Sequence, residues 1–237
     1  MSDVSKFHKK LIEKYGDLTV WEVDGEKIRE KLDIEFPNFA MWPDFDYIPK
    51  NELWLDVEKD PDEQQFFIDH MLAQWIVLKS GKDNGQAVNK AYRVERSERR
   101  KAGDKNHVFD SQGHPHPDKV HIKILGKTDS GLTIWLINGR LVRSAFFLDF
   151  MDGGHHLVYP WVPEKEVWID DDLVSSEYPY VTLHELHERD LMSQGISYNR
   201  AHPQASKIEL YCHHHPHHLK DELSRLGYTL SLRGMYS

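Results

Sequence analysis

Hydrophobic and polar positions follow the same order twice along the chain. At a constant offset of 114 positions, Leu18-Thr19-Val20-Trp21 corresponds to Leu132-Thr133-Ile134-Trp135. In the same way, Glu52-Leu53-Trp54-Leu55-Asp56 corresponds to Glu166-Val167-Trp168-Ile169-Asp170. A fixed spacing that tryptophan and acidic residues keep through most of each half predicts a tandem duplication.

Each copy has the pattern of four strands followed by two helices. Apolar runs around Asp24-Gly25 and Asn138-Gly139 predict β-hairpins, because Asp, Asn and Gly tolerate the positive φ of a tight turn. Two further strands are predicted near Phe146–Phe150 and Glu166–Ile169, with a turn at 151–154 between them. The predicted fold class is α+β, a duplicated ββββαα unit with antiparallel sheets. Two four-stranded sheets or one continuous sheet would both cover the helices.

A helical hairpin is predicted to end each copy. In the first copy, Asp60-Pro61-Asp62-Glu63 is typical of a helix start and Gly81 of a helix end. The following helix is predicted from about Gln86 to Arg99, and its counterpart from about Tyr198 to Cys212. The predicted organisation is a first repeat at 1–95, a linker at 96–122, a second repeat at 123–217 and a C-terminal tail at 218–237.

The amino-acid composition narrows the classes of partner that the protein is expected to bind. With 39 acidic and 30 basic residues among 237, the formal charge is -9, which argues against nucleic acid or an anionic membrane as the main partner. No apolar run approaches the roughly 20 residues of a membrane span, and the first residues lack the apolar core of a secretory signal. A cytoplasmic protein is therefore expected, and its single cysteine, Cys212, agrees with a reducing compartment.

The two copies differ at positions that carry chemistry. Both keep a histidine and a glutamate, as His70/His184 and Glu95/Glu209, which are candidates for a structural pair. Only the second copy has side chains of the kind that bind metals at four linked positions: Glu185, His187, Glu188 and His202 stand where the first has Met71, Ala73, Gln74 and Val88. His155 and His156 also occur in the second copy alone.

Helical spacing predicts that several of these residues converge. His184 and Glu188 are four residues apart and share a helix face. A helix that folds back after Gly195 brings His202 level with Glu188 and Glu209 near His184. Imidazole and carboxylate ligands together suit Zn²⁺ or Fe²⁺, so we predict a site formed by His184, Glu188 and His202, with Glu209 as a fourth ligand or as a partner of a ligand.

The stretch His184-Glu185-Leu186-His187-Glu188, followed by Glu209, resembles the zincin metallopeptidases of the glutamate-ligand type, whose signature is HExxH with a later helical Glu. The resemblance implies that His184, Glu188 and Glu209 bind zinc and that Glu185 is the base that activates water. Glu185 lies about 100° around the helix from His184, a position from which a base can reach such a water. The chain departs from the signature at Glu188, where the family has its second histidine.

Further residues are candidates for auxiliary roles. His187, His155 and His156 are possible extra ligands, and Tyr198 could donate to a developing oxyanion or serve in aromatic packing. The tract Cys212–His218 would bind transition metals in any exposed setting, either adventitiously or for delivery or sensing.

Three interpretations follow from the sequence. The second copy could be a zinc-dependent hydrolase acting on a peptide or small-molecule amide or ester, with the first copy as a degenerate partner. The histidines and glutamates could instead form a non-catalytic metal-binding or scaffold site, or a buried polar network without metal. A homo-oligomer is compatible with all three.

Overall fold

The computed structural model describes residues 4–229 and divides into two compact units, Met1–Lys105 and Asn106–Ser237. The boundary falls within the predicted linker 96–122, whose first residues are helical as far as Ala102. Both units have the same order of strands and helices, so the α+β fold class and the duplicated unit are confirmed.

The strands and helices of the first unit (unit 1) are β1 (His8–Tyr15), β2 (Leu18–Val23), α1 (Gly25–Lys31), β3 (Phe39–Met41), β4 (Glu52–Asp56), α2 (Gln64–Lys79) and α3 (Asn84–Ala102). Those of the second unit (unit 2) are β5 (His121–Lys127), β6 (Thr133–Ile137), α4 (Gly139–Ala145), β7 (Gly153–His155), β8 (Glu166–Asp170), α5 (Tyr178–Ser193), α6 (Tyr198–His214) and α7 (Leu219–Arg225).

Each unit has its own four-stranded sheet among the described residues, with the orders β1-β2-β4-β3 and β5-β6-β8-β7. The sheets are mixed rather than wholly antiparallel as predicted. The inner pairs β2/β4 and β6/β8 are parallel, because a helix and a short strand intervene and return the chain in its original direction. Trp21 pairs with Trp54 and Trp135 with Trp168, so the register of the inner pair is preserved at the offset of 114.

The predicted hairpins at Asp24-Gly25 and Asn138-Gly139 are wrong, because both dipeptides begin a helix. The Asp24 carboxylate accepts a hydrogen bond from Lys27 N at 3.2 Å, and the Asn138 side chain accepts one from Leu141 N at 2.8 Å. Asp and Asn are preferred as helix N-caps as well as in turns. The two roles cannot be separated from the dipeptide alone.

The glycines in these dipeptides allow a close approach rather than a positive φ. A Cβ on Gly25 would lie 1.8 Å from Asp56 Oδ2, and one on Gly139 would lie 1.9 Å from Asp170 Oδ1. The turn between β1 and β2 is instead at Gly16, whose φ is +69°.

The strand predicted near Phe146–Phe150 is also wrong. The strand is β7, which includes two of the residues expected in the turn at 151–154. Phe150 is fully buried, and the Phe146 ring stacks on Trp161 with ring centroids 4.9 Å apart. These aromatic side chains therefore belong to the core although they lie in a loop. Their burial alone does not indicate a strand.

The predicted helical hairpins are present in both units. Gly81 and Gly195 lie just beyond the first helix of each hairpin, with φ of +83° and +88°, as expected for helix ends. Part of the predicted tail 218–237 is ordered as α7, whose Leu219 and Leu223 are buried. Residues 230–237 lie outside the described part of the chain.

The sheet of unit 2 is covered on both faces. One core contains Ile134 and Val167 from the sheet with Leu183 and Leu186 from α5. A second core contains Trp168 with aromatic side chains from the loops. Helix α5 is thereby held against β7 and β8, which fixes where its polar side chains lie. Within residues 4–229, no helix is long and apolar enough to cross a membrane.

Candidate metal centre

Helices α5 and α6 and strand β7 bring the candidate residues together. Glu188 contacts His202, while His184, one turn earlier on α5, contacts Glu209 on α6. This reversed order shows that the two helices run antiparallel at the site, as the sequence predicted. The short strand β7 supplies His155 from the adjacent sheet.

His184, Glu188 and His202 form a first ligand group. His202 Nδ1 lies 2.8 Å from Glu188 Oε2, and His184 Nε2 lies 3.1 Å from His202 Nδ1 and 3.7 Å from Glu188 Oε2. A tetrahedral ion with bonds of about 2.0–2.1 Å holds its ligand atoms about 3.3 Å apart. The three atoms therefore have the mutual spacing of three corners of a tetrahedral metal site.

His155, Glu185 and Glu188 form a second ligand group, in which one ligand atom from each residue lies within 4.8 Å of the others. His155 Nε2 is 3.1 Å from Glu188 Oε1, close enough for an ion pair, but the geometry makes no hydrogen bond. Neither ring nitrogen of His155 has a hydrogen-bond partner among the described residues, and neither has Glu185 Oε2. His155 is 0% exposed and Glu185 is 7% exposed, so these three atoms are buried without a hydrogen bond, although His155 Nε2 faces the Glu188 carboxylate.

Glu188 belongs to both ligand groups through different oxygen atoms. Its Oε2 faces His184 and His202, while its Oε1 faces His155. The residue is only 2% exposed, so its carboxylate has little access to water. The two groups are therefore adjacent halves of one polar cluster.

Glu209 lies on the far side of the His184 ring. Its Oε2 is 2.8 Å from His184 Nδ1, which leaves Nε2 facing the first ligand group. A carboxylate on the second nitrogen is the usual way to orient a metal-binding histidine. Of the two roles predicted for Glu209, the geometry favours the partner of a ligand. His213 extends the contact, with its Nε2 3.9 Å from Glu209 Oε1 and 3.3 Å from Glu177 Oε2.

Unit 1 has the corresponding chain of contacts without the ligand groups. His70 Nδ1 lies 2.7 Å from Glu95 Oε2, and Arg99 bridges Glu95 and Glu63. Arg99 is the counterpart of His213 at the offset of 114. The histidine and glutamate shared by both units are therefore part of the framework, which in unit 2 also points an imidazole at the cluster.

The residues that differ between the units are the ones that build the cluster. In unit 1, the positions equivalent to His155, Glu185, Glu188 and His202 are Met41, Met71, Gln74 and Val88. Met41 and Met71 are buried in the core of unit 1. The same positions in unit 2 thus replace apolar or neutral side chains with four that can bind a cation.

The charges within the cluster are strongly coupled. Burial raises the pKa of Glu185 to about 8, and the neighbouring Glu188 carboxylate adds to the rise. Burial acts in the same direction on Glu188, but the surrounding histidine rings outweigh it and lower the pKa of Glu188. Burial opposes protonation of His184, yet the carboxylates of Glu188 and Glu209 raise its pKa well above the ordinary value. The cluster thus stabilises one carboxylate, and a bound cation would favour ionisation of the second.

The other predicted residues lie around the cluster. The Tyr198 ring stacks on His202 with centroids 5.1 Å apart. His156 follows His155 but contributes no atom to either ligand group, and burial lowers its pKa. Burial likewise lowers the pKa of His187, which is half-buried on α5 and also outside both groups.

Tyr159 and the space at Gly153 are two features of the site that the sequence did not predict. Tyr159, which replaces Phe45, is half-buried near the cluster; burial and then the charge of Glu185 raise the pKa of its hydroxyl. Gly153 replaces Phe39, and a Cβ there would lie 2.9 Å from Glu185 Cγ. The exchange of residue type is visible when the two copies are compared, but the close approach of Glu185 to Gly153 is not.

The tract Cys212–His218 is separate from both ligand groups. Cys212 is buried in the core beside α7, whereas His214, His215 and His217 are exposed. The His215 ring stacks on Tyr211 with centroids 4.5 Å apart. The exposed histidines of this tract therefore contribute no atom to the cluster.

The fold and the cluster define an α+β protein with a candidate metal centre in its second unit. No protein-family model, curated protein or solved structure matches the chain. The resemblance to zincins stays a prediction.

Proposed function

We propose that unit 2 is a metal-dependent hydrolase that binds a divalent transition-metal ion, Zn²⁺ or Fe²⁺, at the first ligand group. Its substrate would be an amide or ester of a peptide or small molecule. The observation that carries the proposal is the exchange of four buried or half-buried positions from apolar or neutral residues to His and Glu, all of them in one cluster.

The energetic cost of this exchange supports a functional role. Buried carboxylates and imidazoles destabilise a fold unless they are paired or bind a metal. Unit 1 holds the same backbone register with Met41 and Met71 at two of these positions, so the fold does not require polar groups there. Selection for the polar residues is then explained by what they bind.

A bound ion would lower the pKa of a water molecule and polarise a carbonyl group. The chain's own contribution is orientation and proton transfer. Glu209 holds the Nδ1 side of His184, so that Nε2 is presented to the ion. Glu185, which is buried in the cluster, is the candidate base, because a bound ion would favour its ionised form. The Tyr159 hydroxyl is a candidate donor to a developing negative charge.

Metal analysis tests the first part of the proposal. We expect protein purified without nickel or cobalt resin, then dialysed against zinc, to retain the ion in the cluster. The variant carrying E188Q and H202V, which inserts the residues of unit 1, should lose it. H187N, which removes an imidazole from the same helix outside both groups, is the matched control and should keep the metal. Equal metal content in all three proteins would end the proposal.

A screen of peptide and ester substrates tests the chemistry. Removing a general acid or base typically slows a reaction by about 10²–10⁴-fold, so E185Q should lower kcat by this order. Hydrolysis unaffected by E185Q would remove Glu185 from the reaction.

The burial of the cluster favours a second candidate function, a closed metal site that only stabilises the helical hairpin. A catalytic ion keeps a coordination position for water or substrate, and a structural ion does not. Replacement of the metal with Co²⁺ followed by addition of acetohydroxamate distinguishes them. A shift of the visible Co²⁺ spectrum supports the hydrolase, and an unchanged spectrum supports the closed site.

A further inference from the structure

We infer that the second ligand group binds a second divalent cation beside the first, with Glu188 as the carboxylate that bridges the two ions. The inference rests on the proposed function for the first ion and extends it to a two-metal centre. The second ion would be held by His155, Glu185 and Glu188 Oε1.

The unsatisfied atoms are the first observation that points to this ion. Both ring nitrogens of His155 and Oε2 of Glu185 are buried and without a hydrogen-bond partner among the described residues. Proteins rarely leave buried polar atoms unpaired, and a cation that binds them is one of the recognised reasons for such atoms. All three atoms are on residues of the second group, and none is on a residue found only in the first.

The local backbone is shaped to admit these side chains. Gly153 lies two residues before His155 on β7, and any Cβ there would collide with Glu185 Cγ and with Trp168 O, each at 2.9 Å. In unit 1 the equivalent Phe39 ring stacks on Phe67, with centroids 4.7 Å apart, and occupies this region. The exchange of Phe for Gly makes room for the carboxylate that the second ion needs.

The two oxygens of Glu188 provide the bridge. Oε2 lies among the ligand atoms of the first group, and Oε1 lies 3.1 Å from His155 Nε2 in the second. Paired ions in hydrolytic sites are about 3.5–4 Å apart, a distance that one carboxylate can span. The mixture of imidazole and carboxylate in both groups suits Zn²⁺, Mn²⁺ or Fe²⁺.

A second ion changes the role of Glu185. With the first ion alone, Glu185 is free to accept a proton from water. With both ions bound, Glu185 would be a ligand rather than a base, and the two ions would supply the activation of water. The number of ions bound per chain distinguishes a ligand from a base. Replacing a ligand loses an ion, whereas replacing a base does not.

Equilibrium dialysis of the full chain against Mn²⁺ or Zn²⁺, with metal analysis, measures this stoichiometry. A protein with His214, His215 and His217 replaced by Asn gives the contribution of the exposed tract, which is subtracted. We expect two ions in the cluster of the wild type. The variants H155M and E185M, which carry the residues of unit 1 and therefore suit the fold, should each bind one. E188Q should bind none or one weakly, and H187N should bind two.

Electron paramagnetic resonance of the Mn²⁺ form gives an independent readout. A bridged pair produces a spin-coupled spectrum, and H155M should convert it to the six-line spectrum of an isolated ion. One ion in the wild type, or two ions in H155M and E185M, would overturn the second site and leave the first intact. No ion in the wild-type cluster would overturn both.

Discussion

His155 and Glu185 show at the scale of single residues how function opposes stability in unit 2. Each is buried where unit 1 has a methionine, and each leaves polar atoms without a partner. In the metal-free protein these groups should lower the free energy of unfolding, and replacing them measures by how much.

We expect E185M to stabilise the metal-free protein by about 1–3 kcal/mol, because an unsatisfied buried carboxyl group is replaced by an apolar side chain of similar size. Urea unfolding of chelator-treated wild type and variant measures the difference. E185Q, which keeps a polar group in place, is the matched control and should stabilise the protein less. A lower free energy of unfolding for E185M would show that Glu185 has a structural role in the metal-free protein.

The residues of the site differ in how far sequence alone could predict them. His184, Glu188 and His202 could be predicted because helix periodicity and a glycine at the turn fix their relative positions. His155 could be named but not joined to them, since its strand was predicted as a turn. That its ring nitrogens have no hydrogen bond follows from the packing around them, which the periodicity of the sequence does not describe.

Among the secondary-structure elements, helix α4 is one that the sequence pattern did not predict. Its N-cap and glycine were interpreted as a hairpin, because both uses favour the same two residue types. The difference lies in Asp170 on β8, whose carboxylate packs against Gly139 and pairs with Arg143. The local structure at Gly139 therefore depends on a contact with a residue more than two dozen positions later in the sequence. The helical hairpins, by contrast, carry local start and stop signals and were predicted closely.

The duplicated arginines give a prediction about how this helix is attached. Arg143 is fully buried and pairs with Asp170 and Asp172, whereas the side chain of its counterpart Arg29 is 22% exposed. We expect R143M to cost about 3–5 kcal/mol, because it leaves buried carboxylates without their cation. R29M should cost less, since the Arg29 side chain is itself partly exposed and water can enter where it is removed. Urea unfolding of both variants measures the two costs, and equal losses would contradict the dependence on burial.

In the whole molecule, we expect metal binding to stabilise unit 2 and to leave the stability of unit 1 unchanged. A ligand that binds only the folded state stabilises it by about 2.7 kcal/mol at a concentration 100 times its Kd. We therefore expect Zn²⁺ to slow hydrogen exchange in β7, α5 and α6. Residues 4–105 should exchange at the same rate with and without the ion.

Hydrogen exchange with mass spectrometry of the full chain tests this expectation, and unit 1 is the internal control. Protection restricted to the exposed histidines at 213–218 would assign the metal to the surface tract. Protection in unit 1 of similar size would show that the effect does not come from the cluster.

The contact of His70 with Glu95 means that the cluster of unit 2 could be built into unit 1 by substitution. The orienting carboxylate is already in place there, 2.7 Å from the ring, so what is missing is the set of donors around the opposite nitrogen. Five substitutions would supply them and clear the space: F39G, M41H, M71E, Q74E and V88H. A chain engineered in this way should bind ions in both units, with as many in the new cluster as in the original one.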